Sequence, residues 1–234
     1  MSSVFLIALF VLLPLAAGLW LQRREPDSDL VKLLLAFSGA FLLSVTVVHM
    51  LPELYERGGH AVGTWVLAGF MLQVVLEFFS RGIEHGHVHV HKGAHALPLS
   101  TLASLCIHSF MEGMPFADPQ VRANGPFVAG VLMHKAPMAI ALATVLRRSG
   151  VPSASYWSML VVFAAALPAG IGVGGLAGSH LGDAALSAAL AVAIGMLLHI
   201  STTIIFESTP DHRFNARRFI TVLAGAGLAF LTMH

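Results

Sequence analysis

The sequence predicts an all-α, polytopic membrane protein with eight transmembrane helices and both termini outside. Three observations carry that expectation. Only 11% of the 234 residues are charged and the mean hydropathy is +0.80, whereas a soluble domain carries about 25% charged residues. Apolar stretches approaching the ~20 residues a span needs recur eight times. The cations fall almost entirely on one set of connections.

In order, the expected spans are 3–21, 30–52, 62–81, 98–116, 125–146, 155–177, 183–206 and 214–233. The first lacks a basic leading region, and Arg23 and Arg24 follow it. It therefore reads as a retained span and not as a cleaved signal. With the N-terminus outside, the inward connections and their flanks carry Arg23, Arg24, Lys32, Arg81, Lys92, Arg147, Arg148, Arg213, Arg217 and Arg218. The outward ones carry Arg57 and Arg122, and Lys135 lies inside a span. Positive residues concentrate on the cytoplasmic side, which sets the orientation. Residues 1–234 then form a single transmembrane domain. The sixth span contains Gly170, Gly174 and Gly178 at four-residue spacing, which favours close helix packing. Pro115, Pro137 and Pro168 lie within or near the ends of spans four to six, where they bend helices and free carbonyls.

Composition also removes function classes. A net charge of +1 gives no footprint for nucleic acid. Cys106 is the one cysteine, so neither a disulfide framework nor a thiolate zinc site can form. No Walker-type phosphate loop is present.

Ionisable groups inside spans are costly and point to function. "IHSFMEGMP" places His108 and Glu112 four residues apart, hence on one helix face. Ser109 sits about 100° around from His108 and flanks that face. "LMHKAPMAIAL" places His134 and Lys135 in span five, with Met138 on the face of His134. One His–Glu pair could be a buried hydrogen bond. Two clusters at matching depth, on adjacent spans, point to a metal shell of two imidazoles and a carboxylate, with Met138 a weak extra contact.

Spans two and seven add candidates. "VVHMLPEL" gives His49 and Glu53 towards the outer end, and "MLLHISTTIIFES" gives His199 and Glu207 on the inner half. Glu53 and Glu207 lie where charges are inexpensive. Glu77 is expected to snorkel or to pair with Arg81. The cytoplasmic loop "EHGHVHVHKGAH", residues 84–95, holds five histidines. Closely spaced imidazoles chelate, so this loop reads as a metal acceptor or sensor apart from the transmembrane site.

These residues resemble the ZIP family of divalent-metal transporters. The resemblance rests on His108, Ser109, Glu112 and Gly113 in span four, His134, Lys135 and Pro137 in span five, and His49, Pro52 and Glu53 in span two. The histidine-rich loop between spans three and four matches as well. The resemblance implies a ZIP-like bundle with inverted repeats. Many members carry acidic residues on span five that bridge two metal ions; here those positions read Lys135 and Met138. The chain looks closest to the branch with Lys beside the span-five His, which implies one metal site. There the Lys135 ammonium would supply the positive charge of a second metal and balance Glu112. The alternative is that Lys135 snorkels into water and pairs with nothing.

The implied activity is transport of divalent metal ions into the cytoplasm, with Zn2+ as substrate and Fe2+, Mn2+, Co2+ or Cd2+ as alternatives. No organic cofactor is expected. An ion would pass His49 and Glu53, bind at His49, His108, Glu112 and His134, and leave past His199 or Glu207 as one bundle rocks against another. The partners are the ion, the lipid bilayer and, as a candidate homodimer, a second copy of the chain. A bacterial inner membrane fits the short loops. Two rival readings are an intramembrane metal hydrolase, against which the absence of H-E-x-x-H weighs, and a metal sensor that does not transport.

Overall fold

In the computed structural model, residues 2–23, 27–80, 82–83, 99–207 and 215–233 are described, the side chains of Glu207 and Met233 excepted. Among them all regular structure is helical. The long helices are α1 (Ser3–Leu21), α2 (Ser28–Gly58), α3 (Ala61–Ser80), α4 (Leu99–Gly113), α5 (Gly125–Arg148), α6 (Ser153–Leu181), α7 (Asp183–Glu207) and α8 (Ala216–Met233). Six of them, α1 to α3 and α5 to α7, are long and apolar enough to cross a membrane. The chain is thus an all-helical polytopic membrane protein, as its composition predicts. The histidine-rich segment 84–95 lies outside the described residues.

Local chemistry sets the helix ends. Ser2 and Asp27 cap α1 and α2 by accepting from the amides of Phe5 and Asp29, and Asn124 caps α5 through Phe127 N at 2.9 Å. Such caps satisfy amides that have no partner in the first turn. Gly182, at φ 76°, lets α6 turn directly into α7, a conformation other residues rarely adopt.

Two helices depart from the expected spans. α2 runs on to Gly58, beyond the expected end at 52, and contains a π turn over Thr46–Met50. There Leu51 N–H reaches back five residues to Thr46 O. Pro52 follows immediately and has no amide to donate, so the ladder shifts at this point. α4 is short and continues as a 3-10 turn, Met114–Ala117, at Pro115. Arg122 Nη1 secures that turn by donating to Phe116 O at 2.6 Å and Ala117 O at 2.8 Å.

The helices pack as two groups. In one, α1 lies against α5 and α6, and α4 lies against α6. In the other, α3 lies along α7, and α2 lies along α7 and α8. The groups meet along an extensive α2–α5 contact, where Gly130 lies against Phe41 and Leu42, and where α3 borders α4 and α6 borders α7. Small residues permit the closest approaches. A Cβ on Gly170 would stand 2.0 Å from Phe110 O, and one on Gly174 2.3 Å from Met114 O, so α6 and α4 touch backbone to backbone. Gly69 and Gly195 do the same for α3 and α7, and Gly225 brings α8 onto Phe37 of α2. Gly178 instead faces the Leu186 side chain.

Two apolar clusters stack along the axis. One holds Leu105, Met138, Leu142, Leu160 and Phe163. The other holds Phe10, Val45, Phe116, Phe127, Val131 and Leu167. Along α4, α5 and α6 the chain passes from one cluster to the other, and the ionisable residues of α4 and α5 fall between them. The Gly170 contact predicts that Gly170→Ala destabilises the protein by about 1–3 kcal/mol through overpacking. Gly172→Ala, with nothing within 4 Å, should leave thermal stability in detergent unchanged. Equal melting temperatures for the two variants would contradict the packing described.

Candidate metal centre

The layer between the two clusters is polar and dry. His108, Ser109, His134 and Lys135 have no exposed surface, and Glu112 is 1% exposed. α4 presents His108 and Glu112 one turn apart, and α5 presents His134 and Lys135 opposite them. One ligand atom each from His108, Glu112 and His134 falls within 4.8 Å of the others. The imidazoles meet edge to face, their centroids 6.0 Å apart.

The hydrogen-bond partners fix the chemistry of His108. Its Nδ1 lies 3.0 Å from Gln73 Oε1 on α3. A carbonyl oxygen only accepts, so Nδ1 carries the proton, and Nε2 presents a lone pair in the neutral ring or an N–H in the protonated one. That nitrogen stands 3.1 Å from Glu112 Oε1. A cation between the two atoms, a proton or a metal ion, satisfies both. Ligands ~2.0–2.2 Å from a tetrahedral zinc ion sit roughly 3.3–3.6 Å from each other. A separation of 3.1 Å needs little adjustment to accept one.

Lys135 is held here and does not snorkel. Its Nζ donates to Ser109 Oγ, lies 3.9 Å from Glu112 Oε2, and sits 4.6 Å from the centre of the Phe163 ring. It therefore faces the carboxylate. Ser109 is drawn into that arrangement as the acceptor for Lys135. Met138 is fully buried in the apolar cluster one turn beyond His134.

The other candidates lie apart from this group. His49 is exposed in the π turn of α2 and lines a pocket of about 220 Å³ with Glu53, Arg57, Asp118 and Asn124. Asn124 caps the start of α5, so the pocket lies at the opposite end from Arg147 and Arg148. Glu53 there is paired with Arg57, one turn along the helix. His199 Nε2 meets Glu77 Oε2 on α3, and its ring packs edge-on to Phe70 at 4.9 Å. Glu77 thus takes His199 as a partner, and Arg81, the partner expected for it, lies outside the described residues. Glu207 ends α7, and its side chain is likewise outside them. Sequence reasoning missed Gln73. A glutamine amid apolar residues in the middle of a span was the available signal.

Lys135 and Glu112 should act as a unit. Breaking a buried pair by removing one partner costs about 3–5 kcal/mol. We expect Lys135→Met to lose about that much in metal-free buffer and Lys135→Met with Glu112→Gln to recover most of it. Additive losses in chemical denaturation would show that the two charges are uncoupled.

Comparison with known proteins agrees with this geometry. No curated protein matches the chain. The model of the ZIP zinc transporter family matches residues 1–101 and 95–233, which takes in every helix and the whole His108–Glu112–His134 group. The chain belongs to the ZIP zinc transporter family, whose members are transporters of metal ions.

Proposed function

We propose that this protein carries divalent metal ions, zinc first among them, into the cytoplasm through one intramembrane site. The observation that carries the reading is the buried group of His108, Glu112 and His134, in which His108 Nε2 stands 3.1 Å from the Glu112 carboxylate. Two imidazoles and a carboxylate suit zinc. Iron, manganese, cobalt and cadmium are accommodated by the same donors, because affinity order alone does not select the metal.

The transport path follows from the layering. The chain crosses the membrane eight times with both termini outside, on the distribution of its cations. His49 and Glu53 then line an outward vestibule, where Glu53 exchanges Arg57 for an arriving ion. The ion is bound at His108, Glu112 and His134, between the two apolar clusters. These clusters act as plugs, and moving one helix group against the other opens them alternately. His199, with Glu77, lies on the side from which the ion leaves.

Lys135 limits the site to one ion. It occupies the place of the cation that a second metal would be and shares the Glu112 carboxylate with the first. That sharing weakens the grip on the ion, which suits a carrier that must release its cargo.

Uptake into sealed proteoliposomes tests this directly. Zinc should accumulate in a saturable manner, and His108→Ala should reduce the rate at least 100-fold while the protein stays folded. Zinc binding without flux would instead identify a sensor or an intramembrane hydrolase.

A further inference from the structure

We propose that Gln73 is the positioning residue for the metal ligand His108, and that it makes the strength of the site depend on how the two helix groups are aligned. This rests on reading His108 as a ligand. Gln73 is fully buried on α3, a helix whose other buried residues are Val62, Gly69, Leu76 and Ser80. Its Oε1 takes the His108 Nδ1 proton at 3.0 Å. A neutral imidazole can ligate through Nε2 only while Nδ1 holds the proton, and an acceptor at Nδ1 fixes both the tautomer and the ring orientation. The Gln73 Nε2 has no hydrogen-bond partner among the described residues. Leaving a buried amide group unpaired is costly, so packing alone does not account for a glutamine here. The oxygen facing His108 does.

The bond also crosses a boundary. His108 belongs to the group of α1, α4, α5 and α6, whereas Gln73 sits on α3, which packs along α7 in the other group. One turn away, Ser104 Oγ donates to Leu76 O at 2.6 Å across the same boundary. These two bonds define one register of α4 against α3. Any displacement of the groups that separates Gln73 from His108 removes the acceptor and weakens the site. Outer partners of ligating histidines are worth about 10–100-fold in metal affinity.

The test is zinc affinity by competition with a chromophoric chelator. The purified full chain is used, with His85, His87, His89, His91 and His95 replaced by serine so that the loop does not bind. Gln73→Leu should weaken zinc binding about 10–100-fold. Gln73→Glu, which keeps an acceptor, should retain affinity within about threefold of the parent, and Ser104→Ala, which leaves the Gln73–His108 bond in place, within about twofold. If Gln73→Leu does not fold, Gln73→Ala takes its place. Affinity unchanged in Gln73→Leu, or lost equally in Gln73→Leu and Gln73→Glu, overturns the proposal. His108→Ala, measured in parallel, keeps the two readings apart: if it leaves zinc binding intact, the assignment of His108 itself fails.

Discussion

The structure is organised around one constraint, a carboxylate buried among helices that face lipid. Glu112 cannot be hydrated where it stands, so its charge must be met by other groups. Lys135 meets one oxygen, held at its post by Ser109 and the face of Phe163. His108 Nε2 meets the other at 3.1 Å. The first arrangement pairs the charge with an ammonium. The second has room for a proton or a metal ion between the two atoms. The same residue is thereby compensated enough to persist in the membrane and left open enough to bind.

Packing encloses this arrangement. Apolar clusters lie on either side, marked by Phe116 and Phe127 at one end and Leu105, Met138 and Phe163 at the other. Phe10, Phe116 and Phe127 stack in series, with centroids 5.6 and 5.5 Å apart. Within each helix group, glycines bring backbones into direct contact, as at Gly170 with Phe110 and Gly195 with Val66. Between α3 and α4 the bonds of Gln73 and Ser104 cross the interface.

The sequence made the central triad legible because its signals are local. His108 and Glu112 share a face by their spacing, and His134 declares itself as an ionisable residue in an apolar span. Gly170 and Gly174 were legible through their repeat, whereas Gly69, Gly195 and Gly225 stand singly and announce nothing. What stayed hidden depends on neighbours distant in the chain. Gln73 lies 35 residues from His108, and the Glu77–His199 pair spans 122. For Glu77 helical spacing makes a snorkelling side chain or a pairing with Arg81 visible, while the partner on α7 is not. The π turn before Pro52 was not legible either, and it leaves His49 exposed in the pocket beside Glu53.

The central claim is that Lys135 stands in for a second metal, leaving one ion per chain shared by His108, Glu112 and His134. Equilibrium zinc binding to the full chain in lipid nanodiscs, with the five loop histidines replaced by serine and X-ray absorption recorded at saturation, tests it most directly. The account predicts one zinc per chain, coordinated by two imidazoles and carboxylate oxygen. Saturation at two zinc ions per chain, or a zinc–zinc distance in the absorption spectrum, would contradict it.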